Sequence, residues 1–276
     1  MINKKKLLAA PHILWMILFT IIPAVLILSY GFTYTDDSGL HFTLDNFKRF
    51  IDPIYLNVLG RSVYLAFIST LVCLILGYPM AMILAKSKVK TRNIMVLLLI
   101  IPMWMNFLLR TYAWMNILEK SGLLNKFLSF LGLPALDIMY TSGAVVLGMV
   151  YNFLPFMILP IYTVLSKIDN KLIEAAQDLG ANKSTVFRKV TFPLSIPGVI
   201  SGVTMVFMPA VTTFVISRLL GGGQYTLIGN LIEQQFLTTL DWNFGSAISV
   251  VLLIVILISM AIMAKYDKDK EGVGLW

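Results

Sequence analysis

The sequence predicts an all-α integral membrane protein with six transmembrane helices. Its composition is the first reason: 58% of the 276 residues are hydrophobic and only 13% are charged. A soluble domain is nearer half apolar with about a quarter of its residues charged, so a soluble fold could not bury this much apolar surface. The second reason is patterning, because a membrane-crossing helix needs roughly 20 mostly apolar residues. Six stretches meet that length: residues 8–33, 62–85, 94–117, 143–166, 194–217 and 245–264.

The first of these stretches follows "NKKK", as the apolar part of a secretory signal would. Its apolar run is too long for a signal peptide, and no cleavage site of small residues follows it. We therefore expect a retained first helix. Several of the six stretches contain proline, which membrane bundles tolerate because neighbouring helices satisfy the freed carbonyl groups.

The distribution of basic residues predicts the orientation. With the N-terminus in the cytoplasm, 15 of the 22 lysines and arginines fall in inner segments and six in outer segments, while Arg110 lies within a span. Inner loops of membrane proteins carry the excess of Lys and Arg, so we expect both termini of this multi-pass membrane protein to be cytoplasmic. The net charge of +8 is then a topological signal and does not indicate nucleic-acid binding.

The segments between the spans exclude an enzyme. None exceeds about 30 residues, which is too short for a catalytic domain. The chain has no phosphate-binding glycine loop and no H-E-x-x-H motif, and its single cysteine cannot contribute to a paired-cysteine metal site. We expect one transmembrane domain over residues 1–276, with no catalytic residue, metal site or cofactor on this chain.

One charged stretch, "EAAQDLGANKSTVFRKVTFP", lies in the predicted inner loop of residues 167–193. It begins within "DNKLIEAAQDLG", which predicts a short helix that Asp169 or Asn170 caps and Gly180 ends. "NKSTVFRKV" predicts a second helix, capped by Asn182 or Ser184. The loop is therefore predicted to form two short helices joined at a glycine.

The purpose of this loop is open on physical grounds alone. Ala175 and Ala176 are expected to be exposed beside Glu174, and small side chains let another surface approach closely. The loop could equally be a solvated amphipathic segment that packs on its own bundle. Pro193 marks the expected entry into the fifth span.

The loop resembles the signature of permease subunits of importer-type ABC transporters. That pattern is E-A-A, a glycine after three further residues, and a hydrophobic–x–hydrophobic–proline ending. Here it runs through Glu174, Ala175, Ala176, Gly180, Val190, Phe192 and Pro193, with Val190 and Phe192 replacing the commoner Ile and Leu. The resemblance implies the type I importer permease fold, in which this loop docks in a groove of a separate ATPase and receives its energy.

Longer segments narrow the resemblance. "IPMWMNFLLRTYAW" and "LLGGGQYTLIGNLIEQQFLTTLDWNFGSA" look like the permease subunits of spermidine/putrescine importers. That implies a second, similar permease subunit, a pair of ATPase subunits that bind ATP and Mg, and an external polyamine-binding protein. Relatives that carry iron, thiamine or other solutes share much of the pattern. An independent secondary carrier is a further alternative.

A polyamine is a flexible polycation and needs carboxylates, carbonyls or aromatic faces along its route. No Asp or Glu lies within a predicted span, so we expect acidic contacts to come from the second permease. Aromatic and polar residues of spans 3 and 4 are the candidates on this chain: Trp104, Asn106, Tyr112, Trp114, Tyr151 and Asn152. Each aromatic could instead belong to an interfacial belt.

Two further features bear on the path. On a straight helix Arg110 would lie roughly 27 Å beyond Arg92, near the outer surface, as an anchor or a contact to a partner. The segment "GGGQYTLIGNLI" predicts a short outer helix that acts as a gate.

Overall fold

The computed structural model describes residues 11–36 and 39–271, and these residues are helical apart from one hairpin. The first part of the chain forms, in order, α1 (Pro11–Gly31), β1 (Thr33–Asp36), β2 (Gly39–Phe42), α2 (Asp45–Phe50) and α3 (Pro53–Lys86). The middle forms α4 (Val89–Trp104), α5 (Phe107–Leu118), α6 (Leu123–Phe130), α7 (Ser142–Leu165) and α8 (Asn170–Asp178). The last part forms α9 (Lys183–Thr212), α10 (Val215–Leu220), α11 (Ile228–Leu237) and α12 (Trp242–Glu271).

Among the described residues, five helices are long and apolar enough to cross a membrane: α1, α3, α7, α9 and α12. The helix α4 and the following segment Phe107–Phe130 meet the criterion together, but they are bent by 94° at a short break. The described part of the chain therefore has five or six candidate spans, and the prediction of one straight helix over residues 94–117 is wrong.

The break in the third predicted span has a local cause. Pro102 cannot donate a backbone hydrogen bond, and Met105 is extended at φ −72° and ψ 148°. The side-chain oxygen of Asn106 then accepts a hydrogen bond from the backbone N–H of Leu108 at 2.8 Å, which caps a new helix. The chain therefore turns at Met105–Asn106 although the apolar composition continues.

By its internal contacts, the described chain divides into two compact units. One contains residues up to Leu59 together with Leu231–Leu257, and the other contains Gly60–Asn230 with the residues from Ile258 onward. In the first unit β1 and β2 pair antiparallel, with Thr33 opposite Phe42. The amide of Asn243 donates to the carbonyl of Thr33 at 2.6 Å, which ties this hairpin to the start of α12.

An ion pair also stabilises the first unit. Arg49 donates to the carboxylate of Asp241 at 2.7 Å, and its guanidinium lies 3.9 Å from the ring centroid of Phe244. Partial burial alone would lower the pKa of Arg49, but hydrogen bonds to Asp241 and Tyr55 outweigh it and raise that pKa. Asp241 also accepts from the backbone N–H of Phe244 at 3.1 Å, so this acid is held within its own unit.

The core of the second unit is the contact between α7 and α9. It depends on Gly198 and Gly202, which are four residues apart on α9. A Cβ at Gly198 would lie 3.0 Å from the Cα of Ile161, and one at Gly202 would lie 2.8 Å from the sulfur of Met157. The two backbones thus approach closely, as membrane helices with small residues at this spacing do.

We expect Gly198→Ala to lower the stability of the chain by about 1–3 kcal/mol, because backbone atoms rather than a flexible side chain face the added methyl group. Gly60→Ala on α3 is the matched control, since nothing lies within 4 Å of its added Cβ. That control should be neutral or stabilising by up to about 1 kcal/mol. Thermal unfolding in detergent measures both. Equal midpoints for the two variants would contradict the close approach of α7 and α9.

Candidate functional site

The predicted helix–glycine–helix arrangement is present, and we call residues 170–191 the α8–α9 corner. Asp169 caps α8, since its carboxylate accepts from the backbone N–H of Lys171 at 2.9 Å. Asn182 caps α9, since its side-chain oxygen accepts from the N–H of Thr185 at 2.9 Å. Of the alternatives in the sequence, Asp169 and Asn182 are therefore the capping residues, each through the hydrogen bond that a cap requires.

Gly180 forms the turn between the two helices. Its φ is +83°, in the left-handed region that glycine adopts without strain. The N–H of Gly180 donates to the carbonyl of Gln177 at 2.8 Å, and the N–H of Ala181 donates to the carbonyl of Ala176 at 3.0 Å. This pair of bonds is the Schellman motif, which fixes the direction in which the chain leaves α8.

The two faces of α8 have different surroundings. Asn170, Ile173 and Gln177 line a cavity of about 610 Å³ that is also bounded by residues of α3, α7 and α9. On the opposite face Leu172 is 51% exposed and Leu179 is 89% exposed. Glu174 and Ala175 are also exposed, whereas Ala176 is half-buried, so the prediction that both alanines are exposed is wrong for Ala176.

The second helix of the corner continues into the bundle. It runs as α helix over Lys183–Val186, as a π-helical turn over Phe187–Thr191 and as α helix again to Thr212. Pro193 lies in the first turn after the π-helical turn, where a missing N–H is tolerated. The predicted separation between a short second helix and a fifth span that begins at residue 194 is therefore wrong.

An aromatic cluster joins the corner to α3. The ring centroid of Tyr78 lies 5.9 Å from those of Phe187 and Phe192, and the latter two lie 6.0 Å apart. The hydroxyl oxygens of Tyr78 and Ser195 are 2.8 Å apart in a buried hydrogen bond. Sequence reasoning missed Tyr78 because its partners are more than 100 residues away along the chain.

The structure brings two of the six path candidates into contact, and a third is the next residue along α7. The rings of Trp114 on α5 and Tyr151 on α7 make an edge-to-face contact at 5.2 Å. Asn152, the next residue, is 2% exposed, and its amide donates to the carbonyl of Gly148 at 2.9 Å. Its side-chain oxygen has no hydrogen-bond partner among the described residues.

The other three candidates have different surroundings. Trp104 is 85% exposed at the end of α4, and Tyr112 is also exposed. Asn106 is occupied as the cap of α5, where it accepts from Leu108. These positions leave the two aromatic side chains free to contact lipid or another chain.

Arg110 lies on α5, beyond the break at Met105–Asn106. The path from Arg92 to Arg110 is therefore not a straight helix, so the straight-helix distance does not place Arg110 near the outer surface. The side chain is 9% exposed, on the buried face of α5 with Thr111. Its own unit therefore covers most of this side chain.

A second break lies between α9 and α10. Thr213 is extended, and the amide of Asn230 donates to the carbonyl of Phe214 at 2.7 Å. The side-chain oxygen of Asn230 accepts from the hydroxyl of Ser217 at 2.5 Å and from the N–H of Leu227 at 3.1 Å. The segment predicted as a gate, residues 221–232, contains Asn230 and the first turn of α11.

Apolar helices long enough to span a membrane, together with an exposed helix–turn–helix corner, describe a membrane-embedded protein. The chain belongs to the family of binding-protein-dependent transport system inner membrane components, whose sequence profile matches residues 74–270. It is accordingly the permease subunit of an ABC importer and is not an enzyme; ATP hydrolysis belongs to a separate chain.

The spermidine/putrescine transport system permease protein PotB of Escherichia coli K12 is 45% identical over 246 residues, covering 87% of this chain and 90% of that protein. PotB of Haemophilus influenzae is 38% identical over 276 residues, covering 98% and 96%. A bacterial ABC transporter involved in the import of the acidic polysaccharide alginate shares the fold, with a TM-score of 0.78 and 17% identity over 95% of this chain and 96% of the other.

Proposed function

We propose that this chain is a PotB-like permease subunit that moves spermidine and putrescine across the bacterial inner membrane by alternating access. The observation that carries the substrate class is the 45% identity to PotB over 87% of the chain. The interior of the second unit is compatible with a cation, because Trp114 and Tyr151 supply aromatic faces and Asn152 supplies an unpaired buried oxygen.

The proposed assembly contains a PotC-like second permease, two copies of a PotA-like ATPase and a PotD-like external polyamine-binding protein. ATP and Mg are bound by the ATPase subunits, and this chain holds no cofactor. With the N-terminus inside, the excess of basic residues in alternate loops supports six spans with both termini in the cytoplasm. Residues 1–276 then form one permease domain.

The α8–α9 corner is the proposed docking surface for the ATPase, with Glu174, Ala175, Ala176, Gly180 and Pro193 as its signature residues. Two observations support docking over packing on the chain's own bundle. The inner face of α8 borders a cavity rather than a closely packed core, and its outer face exposes Leu172 and Leu179. Such a face is suited to a hydrophobic groove on a partner.

The aromatic cluster is the proposed route by which ATPase movement reaches the spans. Phe187 and Phe192 belong to the same continuous helix as the corner, and they pack on Tyr78 of α3. A rigid-body displacement of the corner would therefore move α9 and α3 together.

The substrate path is proposed to pass beside Trp114, Tyr151 and Asn152, while Asn106 fixes the turn between α4 and α5. The exposed Trp104 and Tyr112 would reach the path only at the boundary with the second permease. Carboxylates of the second permease would supply the charge that the spans of this chain lack.

Uptake of labelled spermidine by cells or proteoliposomes that contain the full complex tests the proposal. Unlabelled putrescine should compete, whereas thiamine and ferric iron should not. If excess spermidine fails to compete with the labelled cargo, the polyamine assignment is wrong. If the chain alone transports on an ion gradient without an ATPase, the permease is a secondary carrier and the coupling proposal is wrong.

A further inference from the structure

Arg110 is a buried cation that the described residues leave unpaired. It is 9% exposed, and its Nε atom is buried with no hydrogen-bond partner in the described ranges. No carboxylate within residues 11–36 and 39–271 forms an ion pair with it. A guanidinium has five N–H donors and stays charged, so this side chain has much to gain from a partner.

Arg110 lies beside the proposed substrate path, so its charge bears on the passage of a cation. Trp114 is four residues further along α5, which places it on the same helix face, and it contacts Tyr151. The helix α5 packs against α7 and α10 within the second unit. A positive charge beside this cluster would repel a passing polycation unless a negative charge compensated it.

The long helices of the chain do not supply that charge. The five long candidate helices contain no Asp or Glu, and Glu119, in the bent sixth candidate, is exposed and forms no ion pair with Arg110 among the described residues. Two sources lie outside the chain, a phospholipid phosphate and a carboxylate of an adjoining protein chain. Arg110 shares a helix face with Trp114 and not with the exposed Leu109 and Tyr112, which favours the carboxylate over a lipid.

We propose that Arg110 forms an ion pair with a carboxylate of the second permease subunit, at the interface beside the substrate path; this rests on the proposed polyamine importer. A planar guanidinium matches a carboxylate through two parallel hydrogen bonds, which fixes geometry as well as charge. The pair orients the two permeases. It also keeps that carboxylate partly neutralised, so that an ammonium group of the cargo is held without being trapped.

The test compares the purified full chain with the full complex. In the isolated chain, Arg110→Met removes an unpaired buried charge and should raise the melting midpoint or leave it unchanged. In the complex, Arg110→Met should reduce the recovered second permease and the uptake rate by about tenfold, because it leaves a carboxylate buried without a partner. Comparable destabilisation of the isolated chain and the complex would show that Arg110 is paired within its own chain, and would overturn the proposal.

Arg61→Met is the matched control. Arg61 is exposed and donates to the carbonyl of Gln224 at 3.4 Å in the same chain, with its guanidinium 5.9 Å from the ring centroid of Tyr225. Its replacement should change the isolated chain and the complex by the same small amount. A selective loss of assembly in this control would show that any lost arginine weakens the complex, which would overturn the specific role of Arg110.

Charge reversal identifies the partner. Arg110→Glu should abolish assembly, and replacement of one particular Asp or Glu of the second permease by Arg should restore it. Absence of rescue at every acidic position overturns the proposal. The proposal is also overturned if phosphatidylglycerol in nanodiscs raises the melting midpoint of the isolated native chain but not that of Arg110→Met, because the partner is then a lipid phosphate.

The same experiments separate this inference from the proposed function. If the native chain neither recovers a second permease nor supports polyamine uptake, the proposed function is wrong. If the native complex assembles and transports, and Arg110→Glu does so equally well, only the ion pair is wrong.

Discussion

Gly180→Val is expected to reduce polyamine uptake by at least about tenfold while the chain still inserts in the membrane. The residue has φ +83°, and a side chain in the left-handed region costs roughly 1–2 kcal/mol, with a β-branched residue the least tolerated. Open space surrounds the added Cβ, so the effect comes from backbone strain and not from a clash. Relief of that strain redirects α8 and misplaces the docking face. Uptake and polyamine-stimulated ATPase activity of the complex should fall together.

Gly180→Asn is the control for the same position. Asparagine adopts the left-handed conformation more readily than other residues, so this variant should retain most of the uptake. If valine and asparagine reduce uptake equally, the conformation of Gly180 is not what matters, and contact at the glycine itself becomes the explanation. If neither substitution has an effect, the corner is not the site of coupling.

Phe187→Ala is expected to uncouple the complex, with uptake reduced by about tenfold while ATP hydrolysis continues. The docking face on α8 is unchanged in this variant, so the ATPase should still bind. The contacts of Phe187 with Tyr78 and Phe192 are lost, and each aromatic pair of this kind is worth about 0.5–1.5 kcal/mol beyond its buried area. Parallel assays of uptake and ATPase activity in proteoliposomes measure the ratio of the two.

Tyr78→Phe provides the matched control. It keeps the ring that packs on Phe187 and Phe192 and removes only the hydrogen bond to Ser195, whose hydroxyl still donates to the carbonyl of Phe192 at 2.8 Å. Uptake should fall less than about threefold, since one hydrogen bond contributes about 1 kcal/mol. If Phe187→Ala lowers ATPase activity and uptake in equal proportion, the ring of Phe187 acts in docking the ATPase and not in transmitting its movement.

Sequence patterns predicted the features of this fold that depend on local chemistry. Apolar length predicted the positions of α7 and most of α12, because a lipid-facing helix needs a minimum run of apolar residues. Short polar side chains before the α8 and α9 helices predicted caps, and the structure shows the corresponding hydrogen bonds from Asp169 and Asn182. Gly180 predicted a turn for the same local reason.

Features that depend on direction or on distant partners were not predictable in this way. Hydropathy measures composition and not direction, so the 94° bend after Trp104 is invisible to it although Pro102 and Asn106 mark the position. Lys183, Arg188 and Lys189 were predicted to lie in a short second helix separate from the fifth span, yet the helix continues through them into that span, with Val186 on its buried face. The hairpin Thr33–Phe42 is too short for its alternation to stand out.

The candidate site shows the same contrast between features set by local sequence and features set by tertiary packing. The helix–glycine–helix arrangement of the α8–α9 corner follows a local pattern and was predicted from it, whereas Tyr78 meets Phe187 and Ser195 only through tertiary packing. Among the path candidates, the structure shows a ring contact between Trp114 and Tyr151, while Trp104 lies exposed at the end of α4, before the turn at Asn106. Because of that turn, the straight-helix distance from Arg92 to Arg110 does not apply.

The helix α9 is continuous from the α8–α9 corner to Thr212, so a rotation at one end displaces the other end. At 1.5 Å per residue, its 30 residues form a rod about 45 Å long. A tilt of only about 10° around one end would displace the other by roughly 8 Å, which exceeds one turn of helix. That far end is the break at Thr213, where the amide of Asn230 binds the carbonyl of Phe214. A small rotation of the α8–α9 corner would therefore be geometrically amplified at the opposite end of α9.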